Sequence, residues 1–227
     1  NATHHVLLFK SELIKSIRGN GYRIVVLASV DNYTEKLKEI VDEFHEIKLD
    51  SSGINPIKDL NLIFQIYSIL KKIRPFAVLN FTIKPVIYGT FAGRLLGDLP
   101  VINTITGLGT VFISSGFVNK VAKFLYKFTF KYSHIVFFQN PDDQQFFRQL
   151  KIITKNNTKL ISGSGVDLVK FRPVENKKRY DIKILFIGRI IADKGIYELI
   201  ESARIIKKEY SNVTFILMGM LGVKNKT

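Results

Sequence analysis

One feature narrows the possible folds more than any other: short, continuous apolar runs alternate with longer amphipathic stretches along the whole chain. The run 23–29 (RIVVLAS) is typical, and such a run suits a parallel strand covered on both faces. The pattern predicts strands at 23–29, 45–49, 77–81, 101–105, 134–139 and 159–162. Between them it predicts helices at 8–20, 33–44, 55–73, 85–96, 118–132 and 142–150. Local chemistry marks some ends. Gly21 follows the first helix as a stop, and Arg74 precedes Pro75, a position that avoids the helical region. This βαβα rhythm implies an α/β fold with a doubly wound parallel sheet.

The rhythm breaks at 171–178 (FRPVENKK), a polar, charged, proline-containing stretch suited to a linker. It then restarts with a strand at 182–187, a turn, a helix at 196–209 and a strand at 213–218. The expected division is a first domain over 1–172 and the beginning of a second over 173–227. The second holds one βαβ unit, too little sheet to close a core. Asn1 is not methionine and Thr227 is an ordinary residue, so both ends look cut.

Composition narrows the function classes. Hydrophobic residues make up 46% of the 227, enough for a packed core and too many for disorder. Cysteine is absent, which removes disulfide frameworks and thiolate metal sites. A net charge of +15 points to an anionic partner: nucleic acid, anionic lipid or a phosphorylated substrate. No nucleic-acid motif accompanies the charge, so no nucleic-acid partner is expected. No run approaches the roughly 18 apolar residues of a membrane span, and no export signal opens the chain. The triplet Asn80-Phe81-Thr82 falls inside a predicted strand and is read as a chance glycosylation sequon. His4, His5, His45 and His134 lack partners at metal spacing, so no metal site is expected. His4-His5 is expected in an irregular terminus touching nothing, the alternative being a place facing the cleft.

In open α/β sheets ligands bind beyond the carboxyl ends of the strands, and four segments there carry candidate chemistry. Gly188 to Gly195 (GRIIADKG) runs from strand to helix; its glycines allow close approach, and Arg189, Lys194 and the helix start can grip a diphosphate. The alternative is an ordinary βα turn with two solvated basic residues. Thr106, Gly107, Leu108 and Gly109 follow the strand at 101–105 and suit hydrogen bonding to sugar or phosphate, or else form a turn with no ligand. Gly163, Gly165 and Asp167 precede the linker and serve either the cleft or simple flexibility. On the helix 117–132, Lys120, Lys123, Lys127 and Lys131 line one face beside Phe117, Val121, Phe124, Leu125, Phe128 and Tyr132. That helix either lies on an anionic membrane or packs its aromatic face on the sheet with the lysines in water.

Taken jointly, Gly163-Ser164-Gly165-Val166-Asp167 with Phe171-Arg172-Pro173, then Phe186-Ile187-Gly188-Arg189 with Asp193-Lys194-Gly195, resemble the domain junction of glycosyltransferase family four. The Thr106-Gly107-Leu108-Gly109 loop, Tyr88-Gly89 and Ala92-Gly93-Arg94 further resemble bacterial members that build surface polysaccharides such as capsule or O-antigen, or lipid-linked oligosaccharides. The resemblance covers essentially the whole chain. It implies the GT-B architecture of two Rossmann-like doubly wound domains, the second incomplete here. It also implies sugar transfer with retention from a nucleotide-sugar, expected to be a UDP-sugar, to a lipid-linked or polysaccharide acceptor. Gly188, Arg189, Lys194 and Gly195 would bind the donor diphosphate, with no separate cofactor. Thr106 to Gly109 would line the acceptor-side cleft, and Gly163, Gly165 and Asp167 the interdomain cleft. The implied location is cytoplasmic, peripheral on the inner face of the cell membrane. Two departures stand out. Thr106 replaces a histidine common on its loop and is given a contact role. The family's paired glutamates would lie beyond Thr227, so no catalytic residue is assigned and the chain alone is expected to be inactive. The family's first strand would precede Asn1, leaving 1–6 as the loop after it. The rival reading is a non-catalytic α/β module that binds a phosphorylated or anionic lipid.

Overall fold

The strands and helices pack into two units, Asn1–Phe171 and Arg172–Thr227. The computed structural model describes residues 2–49, 55–108, 117–153, 156–173 and 181–219. In the first unit the order is α1 (Thr3–Gly19), β1 (Val25–Ala28), α2 (Thr34–Lys38), β2 (Glu43–Glu46), α3 (Pro56–Ile73), β3 (Val78–Phe81) and α4 (Ile83–Leu95). It continues with β4 (Val101–Ile105), α5 (Phe117–Tyr132), β5 (Ile135–Phe138), α6 (Pro141–Gln149) and β6 (Thr158–Leu160). Every strand pair is parallel, as the continuous apolar runs require.

Two expectations are corrected. The strands of this unit do not form one ladder: β1 pairs with β2, and β3-β4-β5-β6 form a separate sheet. Each strand hydrogen-bonds only to a neighbour within strand spacing, and no β1–β3 ladder forms among the described residues. The polar segment 33–44 is not one helix. Only Thr34–Lys38 is helical, and Glu43 to Glu46 pair with Val25 to Ala28. Tertiary pairing overrides the local preference there: Asp42 accepts from the Ile24 amide at 2.7 Å and binds Arg18 at 3.0 Å, which docks the segment beside β1.

Local chemistry sets the other helix ends. The Asn55 side chain accepts from the amides of Ile57 and Lys58 ahead of Pro56, so α3 begins there. Asn140 caps α6 in the same way, accepting from the Asp143 amide at 2.7 Å. α3 ends at Arg74, which takes a left-handed φ of 51° before Pro75.

The main core gathers Val86, Ile87, Ile105, Tyr126, Phe130, Val136, Phe138 and Phe147 between α4, α5, α6 and the four-stranded sheet. A polar chain runs through it. Asn80 donates to Asn103 at 2.9 Å, and the Asn103 amide donates to Thr90 at 2.9 Å and Ser133 at 2.7 Å. Gly89 is what lets α4 close over this chain, because a Cβ there would sit 2.3 Å from the Asn80 side-chain oxygen. Asn80 is buried with its amide committed to Asn103, so its sequon is closed in the folded unit.

The second unit holds β7 (Ile182–Ile187), α7 (Ile196–Glu209) and β8 (Val213–Met218), with β7 and β8 parallel over six residue pairs.

Candidate functional site

Parallel strands put all carboxyl ends of a sheet on one side, and the sequence-predicted segments lie at such ends. In the second unit, β7 runs into Gly188, whose amide donates to the Met218 carbonyl at 3.1 Å. The next strand ends at Gly219, where a Cβ would meet the Gly188 carbonyl oxygen at 1.9 Å. Glycine is therefore required at that second strand end, a constraint the sequence reading did not single out. A 3-10 turn over Ala192–Lys194 leads to Gly195, whose φ of 73° turns the chain into α7. Arg189 and Lys194 are both exposed, and neither forms an ion pair among the described residues. Two exposed cations thus stand on a glycine-bounded turn at a helix start.

In the first unit, Thr106 is exposed just beyond β4 and Gly107 has a φ of 139°. Leu108 borders a shallow depression whose other wall is α6, through Asp142, Gln145, Phe146 and Gln149. Gly109 lies outside the described residues. Gly163 and Gly165, with φ of 74° and 78°, bracket Ser164 in a tight loop beyond β6. Asp167 turns inward on its own loop, accepting from the amides of Val169 at 2.9 Å and Lys170 at 3.0 Å. Those backbone bonds, Lys170 first, hold its carboxyl below the usual carboxylate value.

His4 and His5 are not in an irregular terminus, because α1 already begins at Thr3. Asp31, in the turn after β1, accepts from the His4 amide at 2.9 Å, the His4 ring nitrogen at 2.6 Å, the Thr3 hydroxyl and the Tyr33 amide. Partial burial alone would push the Asp31 carboxyl up; these bonds outweigh it and hold the group well below the carboxylate range. Asp31 thus caps α1 from across the chain, a contact 27 residues distant that no local motif announces.

The helix α5 also departs from the sequence reading. Its buried residues are Asn119, Ala122, Tyr126, Thr129 and Phe130, and of the apolar face expected to pack on the sheet Leu125 meets that core. Phe128 stacks on Phe91 at 4.0 Å, and Tyr132 lies 5.0 Å from the Arg94 guanidinium, so both are spent on α4. The exposed side combines Val121 and Phe124, the latter 70% exposed, with Lys120, Lys127 and Lys131; Lys123 is half-buried beside them. Phe117 and Val118 side chains lie outside the described residues.

Two α/β units with parallel strands, the second incomplete, define the Rossmann-like GT-B class of fold. A glycosyltransferase structure from Rickettsia africae superposes with a TM-score of 0.70 at 17% identity, covering 93% of this chain and 56% of that one. Residues 2–140 match the glycosyl transferase 4-like family, and the chain belongs to it. Two curated relatives are the N,N'-diacetylbacillosaminyl-diphospho-undecaprenol alpha-1,3-N-acetylgalactosaminyltransferase of Campylobacter jejuni and an Escherichia coli enzyme. The first is 27% identical, over 93% of this chain and 59% of its own. The second, UDP-Gal:alpha-D-GlcNAc-diphosphoundecaprenol alpha-1,3-galactosyltransferase, is 27% identical, over 74% of this chain and 46% of its own. The chain spans about half the length of these relatives.

Proposed function

We propose that the protein transfers a sugar, with retention, from a nucleotide-sugar, expected to be a UDP-sugar, to a lipid-linked sugar acceptor at a membrane surface. The observation that carries this reading is the pairing, in one chain, of a family-matched first unit with a strand-to-helix turn whose Arg189 and Lys194 are exposed and, among the described residues, form no ion pair. The named relatives act on diphosphate-linked polyprenol sugars, which makes such a lipid the expected acceptor class. Gly188 and Gly195 give the diphosphate backbone room, while Arg189, Lys194 and the start of α7 offset the charge that grows on it as the sugar departs. Fixed charge at a developing anion is usually a large catalytic effect. Thr106, Gly107 and Leu108 stand at the acceptor side, and Gly163 and Gly165 shape the loop beyond β6.

The membrane part of the reading rests on α5. Its exposed Phe124 and Val121 sit among Lys120, Lys123, Lys127 and Lys131, a pattern suited to the inner, anionic face of a cell membrane. No described helix is long and apolar enough to cross a bilayer. The test is a donor panel: the full-length protein is offered UDP-, GDP- and dTDP-sugars with a polyprenyl-diphosphate-linked saccharide. Consumption of one donor only in the presence of the lipid acceptor is the expected result. Failure with every donor and acceptor in that panel would remove the transferase reading.

A further inference from the structure

At the carboxyl ends of the first unit's strands, three elements bring hydrogen-bond donors to one point. Lys10, on the third turn of α1, reaches the Ser164 hydroxyl at 2.9 Å. Gln139, just beyond β5, reaches the same hydroxyl from its side-chain amide at 3.1 Å. Phe81, the last residue of β3, lies under the Lys10 ammonium, 4.4 Å from nitrogen to ring centroid. Gly163 and Gly165 hold Ser164 in place through their left-handed φ.

Counting protons and lone pairs decides what this cluster lacks. The Ser164 oxygen accepts from two donors, which uses its acceptor capacity and leaves its own O–H to give away. Lys10 keeps two further N–H donors and Gln139 keeps one. The cluster therefore offers outward donors around a positive charge, and among the described residues no carboxylate lies within ion-pair reach of Lys10. Burial pushes the Lys10 ammonium down from its ordinary value, the cost of a half-buried cation without a counter-charge. A ligand made of acceptors and negative charge completes such a site, and phosphate oxygens are that ligand.

We propose that Lys10, Ser164 and Gln139, seated on Phe81, form an anion subsite in the first unit that holds the diphosphate of the acceptor. The subsite is built from residues of the first unit alone, whereas Arg189 and Lys194 belong to the second. The assignment to the acceptor rests on the transferase reading above, whereas the anion site itself does not. A diphosphate is also part of a nucleotide donor, so the test must tell the two sources apart.

The full-length protein is saturated with UDP, and inorganic pyrophosphate is then titrated calorimetrically. The wild type is expected to bind pyrophosphate with UDP in place. Lys10→Met should weaken that binding about 10-fold and leave UDP affinity within about twofold, while Lys10→Arg should retain most of it. Ser164→Ala, which keeps the charge and removes one donor, should weaken pyrophosphate about threefold and serves if Lys10→Met does not fold. Pyrophosphate binding unchanged in folded Lys10→Met, with at most a lower melting temperature, overturns the site and leaves Lys10 a structural tie to Ser164. Loss of UDP affinity with pyrophosphate unaffected overturns the acceptor assignment. A protein that binds pyrophosphate through Lys10 but transfers no sugar keeps this subsite and loses the transferase reading. Transfer indifferent to Lys10→Met does the opposite.

Discussion

The two units contrast in how their sheets are covered. The four-stranded sheet of the first unit lies under α4, α5 and α6, and its central residues Val101, Val136 and Phe138 are almost fully buried. The second unit has the same parallel, apolar strands but one described helix. Ile184, Phe186 and Phe215 are partly covered, while Leu185, Ile187, Ile216 and Met218 are exposed by 48%, 71%, 38% and 56%. The register sets Leu185 beside Ile216 and Ile187 beside Met218, so these four form one apolar patch. The same strand chemistry gives a closed core or an open face depending only on what covers it, because a parallel sheet needs cover on both sides.

That contrast can be broken most severely by separation. Residues 172–227 on their own are expected to show no cooperative unfolding transition by circular dichroism, since two strands and a helix bury too little apolar surface. A sharp transition from that segment would mean that the open face costs too little to prevent independent folding.

Inside the first unit, small changes should be expensive. Asn103→Leu leaves the Asn80 amide and the Thr90 and Ser133 hydroxyls without their partner, and should cost about 2–3 kcal/mol in urea denaturation. Gly89→Ala forces a methyl onto the Asn80 side chain and should cost about 1–3 kcal/mol. Near-neutral outcomes at both positions would show that this core is looser than its packing suggests.

Asp31 adds a pH-dependent contribution. Its folded value lies below the unfolded carboxylate value of about 4, so the stability it supplies is present above that pH and is lost as pH falls toward the folded value. Asp31→Asn is expected to lower the melting temperature near neutral pH. It should also flatten the loss that the wild type suffers between about pH 4 and lower values. Equal acid sensitivity in both proteins would remove Asp31 from that role. The smallest effect belongs to the open patch: Leu185→Gln or Met218→Gln should change stability by less than about 0.5 kcal/mol. A larger loss would mean that something covers that face in the full-length protein.

The alternation of apolar runs and amphipathic stretches made most elements legible, and β4, β7, α7 and β8 begin and end where the pattern puts them. The turn from Gly188 to Gly195 was equally clear, because its glycines, cations and helix start are all local. What escaped depends on distant contacts. Asp31 caps α1 from beyond β1, and Lys10 meets Ser164 across 154 positions, so no spacing rule links them. Ser164 was visible only as one residue of a glycine-rich bend, and its role emerges once Lys10 and Gln139 converge on it. On α5, Leu125, Phe128 and Tyr132 of the expected apolar face pack, but Val121 and Phe124 face outward, while Tyr126 and Phe130 fill the core instead. A helical wheel gives angles between residues, whereas the sheet decides which angle faces inward.

In the proposed reaction the cationic turn of the second unit holds the donor while the first unit holds a lipid-linked acceptor. The direct measurement is transfer of radiolabelled sugar into the organic-extractable lipid fraction by the full-length protein, wild type against Arg189→Ala, with polyprenyl-diphosphate-linked saccharide supplied. Label is expected in the lipid fraction for the wild type, with a fall of about 10²–10³-fold for Arg189→Ala at unchanged acceptor affinity. Lipid labelling by Arg189→Ala within about threefold of the wild type would contradict it.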